Sequence, residues 1–176
     1  MSTTQLLTSI PTPLGEMTAA TDGHAVTGLW FSDQDPAPVP LSPDAQWADC
    51  ALFGALRAWV DGYFRGNSDP LPLPAAPSGT DFRRRVWGLL AEIPYGATAT
   101  YGDLAARLGS SPRAVGRAVG ANPILLVLPC HRVIGADGAL TGFAGGLERK
   151  KALLELERRG AARQAGDGRP WTGGPT

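Results

Sequence analysis

The chain has 176 residues, 43% of them hydrophobic and 18% charged. That is the composition of a globular chain long enough for one ordinary domain or two small ones. No apolar run reaches the about 18 residues that a membrane span requires, and the first ten residues lack the basic start and apolar core of a secretory leader, so the expected compartment is cytoplasmic. The net charge of zero hides an asymmetry: residues 1–78 hold two Arg against eight carboxylates, whereas residues 79–160 hold twelve Arg plus Lys against seven. An acidic half followed by a basic half points to a second half that faces a polyanion.

In chain order, residues 5–31 alternate as a β-meander, with turns at Pro13-Leu14-Gly15 and Asp22-Gly23 between the runs. A Pro-rich loop over 33–43 precedes a helical pattern from Asp44 to Phe64, on which Trp47, Leu52, Leu56, Trp59, Val60 and Phe64 recur at helical spacing. The stretch PLPLPAAPSG over residues 70–79 reads as a stiff extended linker. The charge balance changes there too, so the domain boundary is expected near residue 78. Beyond it, Phe82, Val86, Leu89, Leu90 and Ile93 mark an amphipathic helix that stops at Pro94-Tyr95-Gly96.

Thr100 and Asp103 form a capping-box pattern for a short helix ending at Gly109, and Ser111-Pro112 opens another. Two short helices joined so tightly read as a helix-turn-helix. The second is nearly bare: Ala114, Gly116, Ala118, Gly120 and Ala121 supply little bulk. Small residues let any backbone approach, so such a face suits either a neighbouring helix or a narrow DNA groove. Ile124 to Leu128 is expected as a strand buried on both faces, leading directly into Pro129-Cys130-His131-Arg132-Val133. A turn at Asp137-Gly138, a Gly-rich loop over 141–146 and a charged helix from Leu147 to about Arg159 follow. Residues 161–176 read as a disordered tail.

The chemistry-bearing residues are few. Cys50 and Cys130 are expected as free thiols in a chain that is not secreted. With only His24 and His131 and no CxxC pair, a His/Cys zinc site is not expected. Cys50 reads as helix packing and His24 as a solvated turn residue. Cys130 follows a buried strand, Pro129 fixes the chain's approach, and Arg132 adds positive charge that favours a thiolate. Neighbours on a strand face opposite ways, so His131 serves Cys130 only if the chain turns or a water bridges them. Glu157 shares a helix stripe with Leu153 and Leu154, and a carboxylate on a core-facing stripe needs a partner, for which a histidine is suited.

The motif Pro129-Cys130-His131-Arg132-Val133 resembles the active site of the O6-alkylguanine-DNA alkyltransferases. Similar to that family, and in the same order, are Phe82 with Val86-Trp87, Ile93-Pro94-Tyr95-Gly96, Tyr101-Gly102-Asp103-Leu104-Ala105, Arg113-Ala114-Val115-Gly116, Asn122-Pro123 and Gly145-Gly146-Leu147. Thr12-Pro13-Leu14-Gly15 and Gly28-Leu29-Trp30-Phe31 look like its N-terminal domain, so the likeness covers nearly the whole chain before the tail.

The resemblance implies an α+β protein: a small ribonuclease H-like α/β domain over 1–78, then a mainly helical winged helix-turn-helix domain over 79–160. It implies direct DNA repair without a cofactor. An alkyl group would move from O6-alkylguanine, with O4-alkylthymine a second candidate, onto Cys130 in one self-inactivating turnover. His131 and Glu157 would generate the thiolate through a water, Tyr101 would protonate the departing guanine, and Asn122 would brace the turn. Arg113 would fill the space left by the flipped base, with Arg117 the alternative because Arg-Ala-Val-Gly repeats at 113–116 and 117–120. Tyr101, Ala114, Gly116 and Ala118 would line the DNA face in the minor groove. Pro129, Val133, Phe143 and Ala144 would line the base pocket, Phe143 standing where some members have Tyr and Ala144 where some have Ser. The expected partner is double-stranded DNA, bound by a monomer away from any membrane. The competing readings are a non-catalytic alkyltransferase-like damage sensor, which lacks the acceptor Cys, a thiol hydrolase and a transcriptional regulator.

Overall fold

Strands β1 (Leu6–Ile10), β2 (Met17–Thr21) and β3 (Val26–Phe31) form an antiparallel meander in the order expected from the alternating pattern. A short strand β4 (Gln46–Trp47) lies parallel on the other side of β1, giving the sheet order β3-β2-β1-β4. The expected helix from Asp44 is therefore wrong at its start. The Gln46 amide donates to the Gln5 carbonyl at 2.9 Å and Ala48 to Leu7 at 3.2 Å, so pairing with a distant strand edge overrides a helix-compatible local pattern. Trp47 consequently stands 64% exposed on the sheet edge instead of in the core.

Helix α1 runs over Ala51–Phe64 and buries Phe53, Leu56, Val60 and Tyr63. Cys50 is its N-cap residue and not a helix-interior packing group. Arg57 on α1 reaches the Thr8 hydroxyl on β1 at 2.7 Å. The outer side of β3 is closed by two extended segments. Val26 pairs with Ala75 of the Pro-rich stretch and Leu29 with Ile124, both parallel, which leaves fewer unpaired backbone groups on that edge.

The described residues are 3–165 of a computed structural model, and they group into two units. One runs through Ser78 and takes in Pro123–Val127; the other comprises Gly79–Asn122 and the chain from Leu128 onward. A single cut at 78 misses that excursion. The apolar run 124–128 is also not a strand. Ile124 makes its one bridge, and the chain then turns, with Leu126 at φ 69° and Val127 donating to Leu125 at 2.8 Å. Ile124, Leu125 and Leu126 are all buried. The apolar run foretold burial, but apolarity does not specify a ladder partner.

In the second unit, α2 (Asp81–Glu92) starts at an N-cap Thr80 and buries Val86, Trp87, Leu89 and Leu90. Helix α3 (Tyr101–Leu108) has the full capping box between Thr100 and Asp103, and it ends at Gly109 in the left-handed region at φ 59°, which glycine adopts without a Cβ penalty. Helix α4 (Pro112–Gly120) follows after three residues, capped by Ser111 with Pro112 in its first turn. Strands β5 (Ala99–Thr100) and β6 (Val133–Ile134) form a short parallel pair. Helix α5 spans Leu147–Ala165, so residues 161–165 of the expected disordered tail are helical; residues 166–176 lie outside the described residues. The whole is a mixed α+β chain.

Helix α5 packs closely on the turn after α2. A Cβ on Gly160 would collide with the Tyr95 hydroxyl, whereas one on Gly54 of α1 would meet nothing within 4 Å. Gly→Ala in a helix normally stabilises by about 0.5–1 kcal/mol. Gly54→Ala should raise the thermal midpoint, and Gly160→Ala should lower it by an overpacking cost of about 1–3 kcal/mol. Thermal unfolding of the two variants checks this, and a stabilised Gly160→Ala would contradict the close approach.

Candidate active site

A one-turn 3-10 helix, Cys130–Arg132, positions the motif. Its entry is tight: the Cys130 amide donates to the Leu128 carbonyl at 2.7 Å, and Arg132 donates to Pro129 at 3.0 Å. Asn122 fastens the other side, its side-chain amide donating to Leu128 at 2.6 Å. It also hydrogen-bonds the Cys130 thiol. The turn resolves how neighbouring residues serve one site, since the chain does not continue as a strand.

The His131 ring is fully buried, with Nε2 2.7 Å from Glu157 Oε1. Glu157, 1% exposed, accepts from several donors. Arg132 Nε reaches Oε2 at 2.8 Å, an Arg132 terminal nitrogen reaches Oε1 at 2.9 Å, and the Gly96 amide reaches Oε2 at 3.2 Å. Burial alone would push the Glu157 carboxyl up, but the charge and hydrogen bond of His131, together with Arg132, hold it well below the usual carboxylate range. Arg132 also donates to the Ile93 carbonyl and lies 5.7 Å above the Tyr95 ring. It was read from sequence as positive charge for the thiol; its guanidinium is instead committed to the carboxylate.

The cation beside the thiol is Lys150, which the sequence reading missed. It is fully buried, donating to the carbonyls of Val133 and of Thr141, the latter at 2.8 Å. A signal for it exists: Lys150, Leu153, Glu157 and Gly160 form one buried stripe at helical spacing. Desolvation pushes the Cys130 thiol up to about 11, against the lowering effects of Asn122, Lys150 and backbone donors. Desolvation also lowers the Lys150 ammonium.

Tyr101 opens α3, its hydroxyl donating to Thr141 at 3.1 Å and to Gly142 at 3.4 Å. Burial raises its pKa, and the nearby Cys130 adds to this, so the hydroxyl keeps its proton. Pro129 and Val133 are buried, Phe143 is half-buried and Ala144 is exposed on the loop before α5. On α4, Arg113 and Arg117 are exposed, and Ala114 and Gly116 are half-buried. Ala118 was expected on the DNA face, but it is 2% exposed and its carbonyl accepts the Trp87 indole N–H at 2.8 Å. It belongs to the α2–α4 packing, because bareness alone does not tell the inner side of a helix from the outer.

A family model for the 6-O-methylguanine DNA methyltransferase DNA-binding domain matches residues 81–159. The methylated-DNA–protein-cysteine methyltransferase of Haemophilus influenzae is 40% identical over 157 residues, covering 86% of this chain and 85% of that protein. The chain belongs to the methylated-DNA–protein-cysteine methyltransferases. The Mycobacterium bovis member is 43% identical, covering 85% of this chain and 90% of its own. Among solved structures, Mycobacterium tuberculosis OGT in complex with DNA is 40% identical with a TM-score of 0.76, covering 88% of this chain and 94% of its own. The O6-methylguanine-DNA methyltransferase of Pyrococcus kodakaraensis is 29% identical with a TM-score of 0.65, covering 87% and 98%.

Burial disfavours the anionic form of the Cys130 thiol. In a Cys50→Ser background, thiolate absorbance should titrate near pH 11. Lys150→Met should move that titration still higher, and Lys150→Arg should not. A Lys150→Met titration at or below the parent value would show that the lysine does not act on the thiol.

Proposed function

We propose that this chain removes the alkyl group of O6-alkylguanine in DNA and keeps it as a thioether on Cys130. The observation that carries the reading is the buried Cys130 thiol on the same turn as a histidine locked to a buried carboxylate, in a member of this family. With Nε2 of His131 bonded to Glu157, Nδ1 is the nitrogen that can take the thiol proton, through one bridging water. The thiolate attacks the alkyl carbon, the carbon–O6 bond breaks, and its electron pair passes into the guanine. Tyr101 protonates the leaving base. Thiol plus ether gives thioether plus guanine, so atoms and electrons balance without a cofactor. The thioether does not ionise or leave, and each chain acts once.

O6 lies within the stacked duplex, so the base must be extruded. Duplex DNA would lie against α4 through its minor groove, with Arg113 filling the vacated space. Asn122 holds the turn, and Pro129, Val133, Phe143 and Ala144 shape the base pocket. O4-alkylthymine is a second candidate substrate. The finer fold we assign is a ribonuclease H-like first domain over 1–78, which also takes in 123–127, and a winged helix-turn-helix domain over the rest of 79–160, acting as a cytoplasmic monomer.

Intact mass after incubation with excess duplex containing O6-methylguanine tests the proposal. One methylene's mass should be added per chain, and none to Cys130→Ala. DNA binding without a mass change would favour a damage sensor; many demethylated bases per chain would indicate turnover.

A further inference from the structure

The cations of the second unit divide by what holds them. Arg84 sits on Asp81, Arg107 on Glu92, and Arg158 and Arg159 share Glu155. Arg132 is spent on Glu157. Arg83, Arg85 and Lys151, and on α4 Arg113 and Arg117, have neither a carboxylate nor a hydrogen-bond acceptor for their charged groups among the described residues; only the α4 pair lies on a helix face bare of bulk. They lie four residues apart on the exposed side of α4, where side chains one turn apart are neighbours. Val115, Ala118 and Val119 take the inner side.

Between and beyond the two arginines the helix has no bulk. A Cβ at Gly116 would meet only ring carbons of Tyr101 at 3.8 Å, and one at Gly120 would meet nothing within 4 Å. The outer side of α4 is therefore bare backbone flanked by two unpaired guanidinium groups. A groove can approach that backbone closely, and a long cationic side chain on the same stripe then meets the groove wall, which is phosphate. Such contacts carry no sequence information, which suits a protein whose lesion arises in any sequence.

We infer that Arg117 is a second DNA contact on α4, holding a backbone phosphate one helical turn from Arg113, which works at the base stack. The inference rests on the proposed DNA repair function and adds a separate task for the second arginine. The α4 stripe is thus a two-point grip: one guanidinium anchors the duplex while the other acts where the base leaves.

The test measures equilibrium binding of the full chain to an unmodified duplex across salt concentrations, with single-turnover transfer from an O6-methylguanine duplex alongside. Arg117→Ala should flatten the plot of log K against log salt by about 0.9, one phosphate's worth. It should also raise the DNA concentration that gives half the maximal transfer rate. Arg117→Lys should restore the slope, since a lysine serves a phosphate as a point charge. Arg65→Ala, which removes a cation paired with Asp61 on α1, should leave the slope alone. An unchanged slope in Arg117→Ala overturns the inference, as does equal flattening in Arg65→Ala. A slower maximal rate at wild-type slope places Arg117 at base extrusion and also overturns it. If the wild-type chain binds and transfers normally, only this inference falls; if it binds no DNA, the reading beneath it falls as well.

Discussion

A carboxylate that is 1% exposed has to be surrounded by donors, and the site is arranged around meeting that demand at Glu157. Its donors come from the turn after α2, through Gly96, and from two consecutive residues of the Cys130 turn, through His131 and Arg132. One charge on α5 therefore fixes the position of both segments. Removing it would leave Arg132 buried without its partner, the kind of loss that costs about 3–5 kcal/mol. Because the folded-state pKa of Glu157 lies below its unfolded value, the stability this group lends is present above the ordinary carboxylate range and is lost as pH falls through the folded value.

The second consequence is a division of labour between buried cations. Arg132 neutralises the carboxylate; Lys150, held by two carbonyls, stands near the thiol. A buried ammonium paired only with neutral acceptors is poorly compensated, and so is a buried thiolate. Each lowers the other's cost once the thiol ionises. Desolvation raises the Cys130 thiol, so the transfer proposed above calls for a base, the part proposed for His131. Tyr101 and Lys150 also share the Thr141 carbonyl, which ties the loop before α5 to the reacting groups.

Local chemistry made much of this legible in the chain itself. The Thr100/Asp103 box, the Ser111-Pro112 start and the Gly109 stop are signals within a few residues, and all three shape α3 and α4 as read. The stripe of Leu153 and Glu157 indicated a buried carboxylate, and the structure pairs it with His131. What sequence left out depends on distant partners. Gln46 and Trp47 are a strand because Gln5 and Leu7 lie alongside. Residues 124–128 are buried but turn, because only Ile124 finds a ladder partner. Ala118 faces inward because α4 packs on α2 there, where its carbonyl also accepts the Trp87 indole N–H, and Arg132 turns to Glu157 because both are buried. Lys150 lay on the same stripe as Glu157 and could have been found by extending that stripe one turn further.

In the proposed mechanism Glu157 orients His131 so that Nδ1 is the base. The most direct measurement is the tautomer of His131 from long-range proton–nitrogen correlation spectra of the free protein at neutral pH, with the second histidine, His24, exposed and assigned by substitution. The expected result is a proton on Nε2, donated to Glu157, with Nδ1 left as the accepting nitrogen. A proton on Nδ1 with Nε2 bare would contradict it, since the nitrogen left for the thiol proton would already be occupied.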